Sequence, residues 1–301
     1  MKSTVNFGYV IFLSVVAALG GFLFGYDTAV ISGTIRQVTL LFALDSIQQG
    51  WFVGCALVGS IIGVLFAGVV SDKFGRKIAM ILSAILFTSS GIGCAISNSF
   101  DQLVIYRIIG GMGIGVVSII SPLYISEISI PKYRGRLVSL YQLAITIGFL
   151  GAFLVNYWLL DYSLNGAANL SQPLLLKIFH TEVWRGMLGM ESLPALLFFI
   201  IIFIIPESPR WLILKRREDP AQRILQRIYG NKEVVQIELS QTRQVTLTEN
   251  KSEWRLIMKP NILKSVFIGV VIAILGQFMG VNAVLYYGPT IFESSGLSSG
   301  D

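Results

Sequence analysis

"LGGFLFGYDTAVISG", residues 19 to 33, holds one carboxylate, Asp27, inside a run from Ser3 to Ile35 that carries no other charge. A helix that crosses a bilayer needs roughly 17 to 25 predominantly apolar residues, and this run is long enough. An acid near the middle of such a span costs about 2.5 to 3.5 kcal/mol on insertion scales, so it requires a partner, a water-lined cavity or a task. The fold turns on whether the rest of the chain builds a bundle around Asp27.

Composition says that it does. Of 301 residues, 54% are hydrophobic and 13% charged, whereas soluble domains carry about 25% charged residues. The mean hydropathy is +0.71. Apolar runs at about 8–35, 50–70, 78–97, 103–125, 137–158, 186–205 and 263–288, each bounded by charges or turn residues, predict seven membrane helices. The class is an all-α membrane protein. The first run is too long for the core of a secretory signal and has no small-residue cleavage site.

Charge placement orients the helices. Lys2, then Lys73, Arg76 and Lys77, then Lys132, Arg134 and Arg136, and most basic residues from Arg210 to Lys264 fall on one side, leaving Arg36, Lys177 and Arg185 on the other. The positive-inside rule makes the N-terminus cytoplasmic in a multi-pass cell-membrane protein. The net charge of +6 is then an orientation signal and no mark of a nucleic-acid surface. Cys55 and Cys94 lie in apolar runs without metal-ligand spacing and read as small core residues. His180 reads as a surface residue of the outer loop, with no metal partner. The glycosylation pattern "NLS" at Asn169 carries no weight, since such tripeptides arise by chance.

Between Pro206 and Lys259 lie 18 of the chain's 40 charged residues. Within this stretch "DPAQRILQRIYG" predicts a short helix with Asp219 as N-cap, Pro220 first, Gly230 past the end, and a stripe of Ile224, Leu225 and Ile228. Three units follow: a six-helix transmembrane bundle over 1–205, a cytoplasmic helical linker over 206–260, and from 261–301 the seventh helix. Acid-plus-arginine clusters end every even-numbered span: Asp72, Gly75 and Arg76 in "GVVSDKFGRK", Glu127 and Arg134 in "EISIPKYRGR", Glu207 and Arg210 in "PESPRW". Ion pairs that hold the cytoplasmic ends together, and break to open them, would form a gate.

Span 1 runs outward and span 4 inward, which puts Asp27 and Arg107 both in the outer half of the membrane, where they can pair. Glu191 is a second buried acid, about 5 residues into span 6 from Gly186. Among the amides within spans, Gln142, Gln277 and Asn282 fit a binding role. Buried amides both donate and accept, as a ligand rich in hydroxyls requires. "GGMGIG" at 110–115 lies mid-span without a preceding strand, so it signals close helix packing, as "GFLFG" and "GSIIG" do.

Those motifs, followed by "GQFMGVNAVLYYGP" at 276–289, resemble in their order the signature set of the sugar porter family within the major facilitator superfamily. "GGFLFGYDTAVISG" is similar to the family's proton symporters almost residue for residue. The resemblance implies a major facilitator fold whose halves, each of 3+3 inverted repeats, enclose a sugar site open alternately to each side. It implies proton-coupled import of a monosaccharide, a xylose-like pentose or a hexose. The family's symporters carry the acid at Asp27 where its passive carriers tend to be uncharged, so Asp27 and Arg107, assisted by Glu191, would couple the proton. Gln142, Gln277 and Asn282 match sugar-contacting positions, and Phe24 and Tyr286 match aromatic contacts. Gly276 departs from a usual glutamine, which leaves the sugar open. Spans 8 to 12 are not among these residues, so the seventh helix starts an incomplete C-terminal bundle and residues 1–301 alone are expected not to transport. A passive uniporter, a non-transporting fragment or a sugar sensor are the alternatives. With no ATP-binding motif or nucleophile-base set, no enzyme activity is expected; nor is a cofactor, a metal or an obligate protein partner.

Overall fold

The computed structural model describes residues 5–165, 176–249 and 260–294. Among them there is no strand. Helix α1 (Phe7–Val30) continues through a 3-10 turn at Ile31–Gly33 into a short outer helix, α2 (Ile35–Phe42). The long helices α3 (Ser46–Phe74), α4 (Arg76–Ile96), α5 (Phe100–Ile128) and α6 (Arg134–Asn165) follow. Span 6 is made of two pieces, α7 (Trp184–Gly189) and α8 (Ser192–Ile202). The cytoplasmic layer holds α9 (Pro209–Leu214), α10 (Glu218–Tyr229) and α11 (Lys232–Glu249), and span 7 is again split, into α12 (Pro260–Phe278) and α13 (Val281–Ser294). Seven stretches are long and apolar enough to cross a membrane.

Local chemistry sets these boundaries. Asn6 accepts from the Tyr9 amide at the start of α1, and Asp45 with Gln48 forms a reciprocal cap on α3. Gly75, at φ 103°, ends α3 and opens α4 in a conformation that L side chains rarely adopt. Pro194 splits span 6, which the sequence predicts as one run over 186–205. Its ring has no N–H and clashes with the carbonyl four residues back, at Met190, and Met190 and Glu191 are the two residues between α7 and α8. Gly280, at φ 73°, splits span 7.

Helix α5 is the centre of the bundle: α3 and α4 pack along it, α1 crosses it, and α6 lies along α1. Small residues permit this closeness, because a Cβ at Gly59 or Gly63 of α3 would collide with the α5 carbonyls of Ile108 and Met112, and one at Gly21 or Gly25 of α1 with the α6 carbonyls of Tyr141 and Ile145. Both cysteines are buried free thiols.

In the linker one expectation needs correction. Helix α10 starts at Glu218 with Arg217 as N-cap, so Asp219 lies in the first turn and Pro220 at the third helical position. Two acids in the first turn favour the positive end of the helix dipole, and the proline still falls where amides lack intrahelical acceptors. Gly230 caps the far end at φ 66°, and Ile224, Leu225 and Ile228 are buried. The layer is tied to span 1 by the Asn6 amide, which donates to the Ile228 carbonyl at 2.9 Å. Asn169 lies outside the described residues.

Candidate functional site

Asp27 is buried on α1, three residues before that helix gives way to its 3-10 turn, and Arg107 is buried on α5, two turns from its outer end. The Arg107 Nη1 donates to Asp27 Oδ1 at 2.6 Å, with both side chains at most 2% exposed. A charged pair at this depth is held only where its geometry and hydrogen bonds offset the loss of water. The offset is incomplete, since Asp27 Oδ2 and Arg107 Nε are buried without a partner. Glu191, placed at the break between α7 and α8, reaches the Asp27 carboxyl, and its Oε1 is also unpartnered. With both acids ionised the three groups sum to one net negative charge; one proton makes the cluster neutral.

The sugar set divides. The Asn282 Nδ2 donates to Gln277 Oε1 at 3.1 Å across the Gly280 break, so the broken span brings these two amides together. Tyr286, half-buried on α13, packs against the cluster that holds Tyr26 and Ile31 and lies within electrostatic reach of Asp27 and Arg107. Phe24 is half-buried on α1 and Gln142 exposed on α6, two helices packed together.

At the cytoplasmic end the acids choose different partners from those adjacent in sequence. The Arg76 guanidinium forks onto Glu127, with both N to O distances 3.0 Å, and also donates to Asp72 at 3.3 Å and to the Ser71 carbonyl at 3.2 Å. Glu207 caps the start of α4, accepting from the Arg76 and Lys77 amides and from that of Ser208. A Cβ at Gly75 would collide with this carboxylate. Burial pushes the Glu207 carboxyl above its usual range, although three amide donors and Arg76 act the other way. Lys77 completes the exchange by donating to the Phe203 and Ile205 carbonyls at 2.8 Å each, and so capping span 6 where Glu207 caps span 3. Arg134 and Arg210 line a separate cavity of about 300 Å³ between the bundle and the linker, with Glu127, Tyr229 and Glu238. There burial and Glu238 push the Tyr229 phenol up to about 12.

Sequence reading missed several side chains that tie helix ends together. Lys77 passed as an orientation charge. Arg185, counted only as an outer charge, is buried; it donates to the Ala95 and Ser97 carbonyls at the end of α4 and pairs with Glu182. Asn156 donates to the Val30 carbonyl at 3.1 Å where α1 ends. His180 is exposed, as read, with Nδ1 2.9 Å from the Ser163 carbonyl.

The family model described as "Sugar (and other) transporter" matches residues 13–300. The arabinose-proton symporter of Bacillus subtilis (strain 168) is 38% identical over 97% of this chain and 60% of its own length. The D-xylose-proton symporter of Escherichia coli (strain K12) is 36% identical over 99% of this chain and 63% of its own. A solved structure of the major facilitator proton:xylose symporter XylE bound to 6-bromo-6-deoxy-D-glucose superposes with a TM-score of 0.84 at 35% identity, covering 98% of this chain and 64% of that one. The chain thus spans about three-fifths of the length of the relatives it matches.

Proposed function

Because the chain belongs to the Sugar (and other) transporter family, a family of multi-pass membrane carriers with the major facilitator fold, we propose that it is the sugar- and proton-handling first half of a proton-coupled monosaccharide importer. The observation that carries this reading is the buried Asp27–Arg107 pair with Glu191 beside it. Two acids against one guanidinium leave the buried site one negative charge in excess when both are ionised, which a proton balances. Arabinose and xylose in the names of its relatives support a pentose or hexose substrate.

Function follows from charge balance. A proton arriving from outside neutralises the Asp27 carboxylate, weakens its hold on Arg107 and leaves the guanidinium to Glu191. That alters which arrangement of the helices around α1 and α13 is favoured. Gln277, Asn282 and Tyr286, on the break of span 7, with Gln142 and Phe24 on the facing bundle, bind the sugar and bring α13 against the Asp27 end of α1. Both ligands thereby bias one two-state element, which is what coupling requires. One charge moved through 100 mV supplies about 2.3 kcal/mol, roughly a 50-fold gradient. On the cytoplasmic face, Asp72, Gly75, Arg76, Glu127, Arg134, Glu207 and Arg210 act as the gate. Residues 1–205, 206–260 and 261–301 are its bundle, linker and first helix of the second half. The distribution of basic residues supports a cytoplasmic N-terminus, and a carrier of this kind would work in the cell membrane.

Asp27→Asn in the whole carrier tests this. In proteoliposomes the variant loses uphill sugar accumulation and retains sugar-for-sugar exchange. Accumulation at the wild-type level removes the proton-coupled reading and leaves passive uniport.

A further inference from the structure

The glycines of "GGMGIG" are not equivalent. A Cβ on Gly111 or Gly115 would meet the backbone of α3 at Ala56 or Ser60, which is ordinary close packing. A Cβ on Gly110 would meet side chains instead: it would stand 2.5 Å from the Ser90 Oγ of α4 and 3.5 Å from Asp27 Oδ1. The absent Cβ therefore leaves a hydroxyl and the coupling carboxylate facing the same small space. Ser90 is 1% exposed; its Oγ reaches the Cys94 thiol one turn along α4 and makes no hydrogen bond to an oxygen or nitrogen. Mid-helix serines ordinarily return their hydroxyl to a carbonyl in the preceding turn, as Ser83 and Ser89 do on this same helix. A buried hydroxyl whose one partner is a thiol, a weak donor and acceptor, can exchange it for a carboxylate at little cost.

We propose that Ser90, admitted to Asp27 by Gly110, is a positioning residue that sets the proton affinity of the Asp27 carboxyl. The inference rests on the proton-coupled reading above. When Asp27 is ionised the Ser90 O–H donates to it, directly or through one water. When Asp27 is protonated the rotor turns so that its lone pair accepts from the acid. The hydroxyl keeps its own proton throughout, so no charge is created on α4. Other charged or titratable groups in reach of this pair are Tyr26 on α1, Cys55 on α3, Cys94 on α4, Arg107 on α5, Glu191 between α7 and α8, and Tyr286 on α13. Of these, Arg107 and Glu191 carry the charges that compete with Ser90. The hydroxyl differs from both in having polarity without charge, so it adjusts the carboxyl without changing the net charge of the site.

The test is the pH profile of uphill uptake by the whole carrier in proteoliposomes, for wild type, Ser90→Ala, Ser90→Cys, Ser90→Thr and Gly110→Ala. Losing the bond to the charged form, stronger than the one made to the protonated form, moves the midpoint of Ser90→Ala upward by a fraction of a unit to about one pH unit, the difference between the two bonds. Ser90→Cys, of similar size with a weak donor, moves it in the same direction and gives the result if alanine lowers membrane abundance. Ser90→Thr restores the wild-type midpoint, and Gly110→Ala moves it as Ser90→Ala does by filling the space. A profile that keeps its midpoint while its height falls overturns the proposal, because packing loss lowers rate at every pH alike. Asp27→Asn run in parallel separates the two readings: if it abolishes accumulation and the Ser90 midpoints stay fixed, only the role of Ser90 fails.

Discussion

A buried charge reveals its purpose by what it leaves unbonded. Arg76 is 5% exposed and spreads its donors over Glu127, Asp72 and the Ser71 carbonyl, so its charge is bonded here without calling on a proton. Asp27 and Arg107 each keep one open polar atom, which is why the proton is proposed for them and an ion-pair tie of the gate for Arg76. Glu207 lies between these extremes, because its cap is complete but burial still raises its proton affinity. A folded carboxyl above its unfolded value, which is about 4.3 for glutamate, binds more protons in the native state than in the unfolded one. Its contribution is fully present below the unfolded value and is lost as pH rises through the folded one. Glu207→Gln keeps one acceptor oxygen and cannot titrate. The difference in thermal midpoint, variant minus wild type in detergent, should therefore shift toward the variant as pH rises from about 4 to 7. A difference that stays constant across that range would show that Glu207 ionises in the fold as freely as in the unfolded chain.

At the scale of elements, the sequence carried the long features well and the partnerships poorly, for a physical reason. Span positions depend on local composition: the run around Asp27 or that from Ser46 to Phe74 is readable because lipid demands a sustained apolar length. The pairing of Arg76 with Glu127 joins residues 51 apart; the motifs marked both and the bundle alone chose between Glu127 and its neighbours. Span 6 had its signal in plain view, since Pro194 removes the bond to Met190, yet one proline in an apolar run marks a kink or a break equally well. Ser90 had none, for a serine in a membrane helix looks the same bonded to its own backbone or free. Placing Glu191 at that break gives Pro194 a testable role. Pro194→Ala offers the Met190 carbonyl an i+4 amide in place of its i+3 bond from Leu193, lets α7 and α8 fuse and draws Glu191 away from Asp27. Membrane abundance and thermal midpoint hold or rise, because a continuous helix replaces the break, while concentrative uptake falls severalfold. Unchanged uptake would mean that the break is not what positions Glu191.

Across the whole molecule, the ties found at both ends stay inside one bundle. On the cytoplasmic side Glu207 and Lys77 exchange caps between spans 3 and 6, and Tyr124 of α5 donates to the Pro206 carbonyl at 2.8 Å. On the outer side Arg185 of α7 donates to the end of α4, and the Trp184 amide donates to Gln37 of α2 at 2.9 Å. Span 7 is held differently: α13 touches the 3-10 turn of span 1, but α12 leaves Val266, Phe267, Ile268, Leu275 and Phe278 exposed. Closure around a ligand should then be a movement of α13 against a bundle that keeps its shape, a hinge at Gly280 and not a rearrangement of spans 1 to 6. Spin labels test this directly in the whole carrier. Ile47 is 83% exposed and Val284 63%, and Asn98 is exposed at the outer end of α4; Cys55 and Cys94 are buried and should stay unlabelled. The 47–98 distance should be the same with and without sugar, while the 47–284 distance shortens by several ångströms on binding. A change in the first pair would mean that the bundle itself deforms, and the caps at its two ends would then be part of what moves.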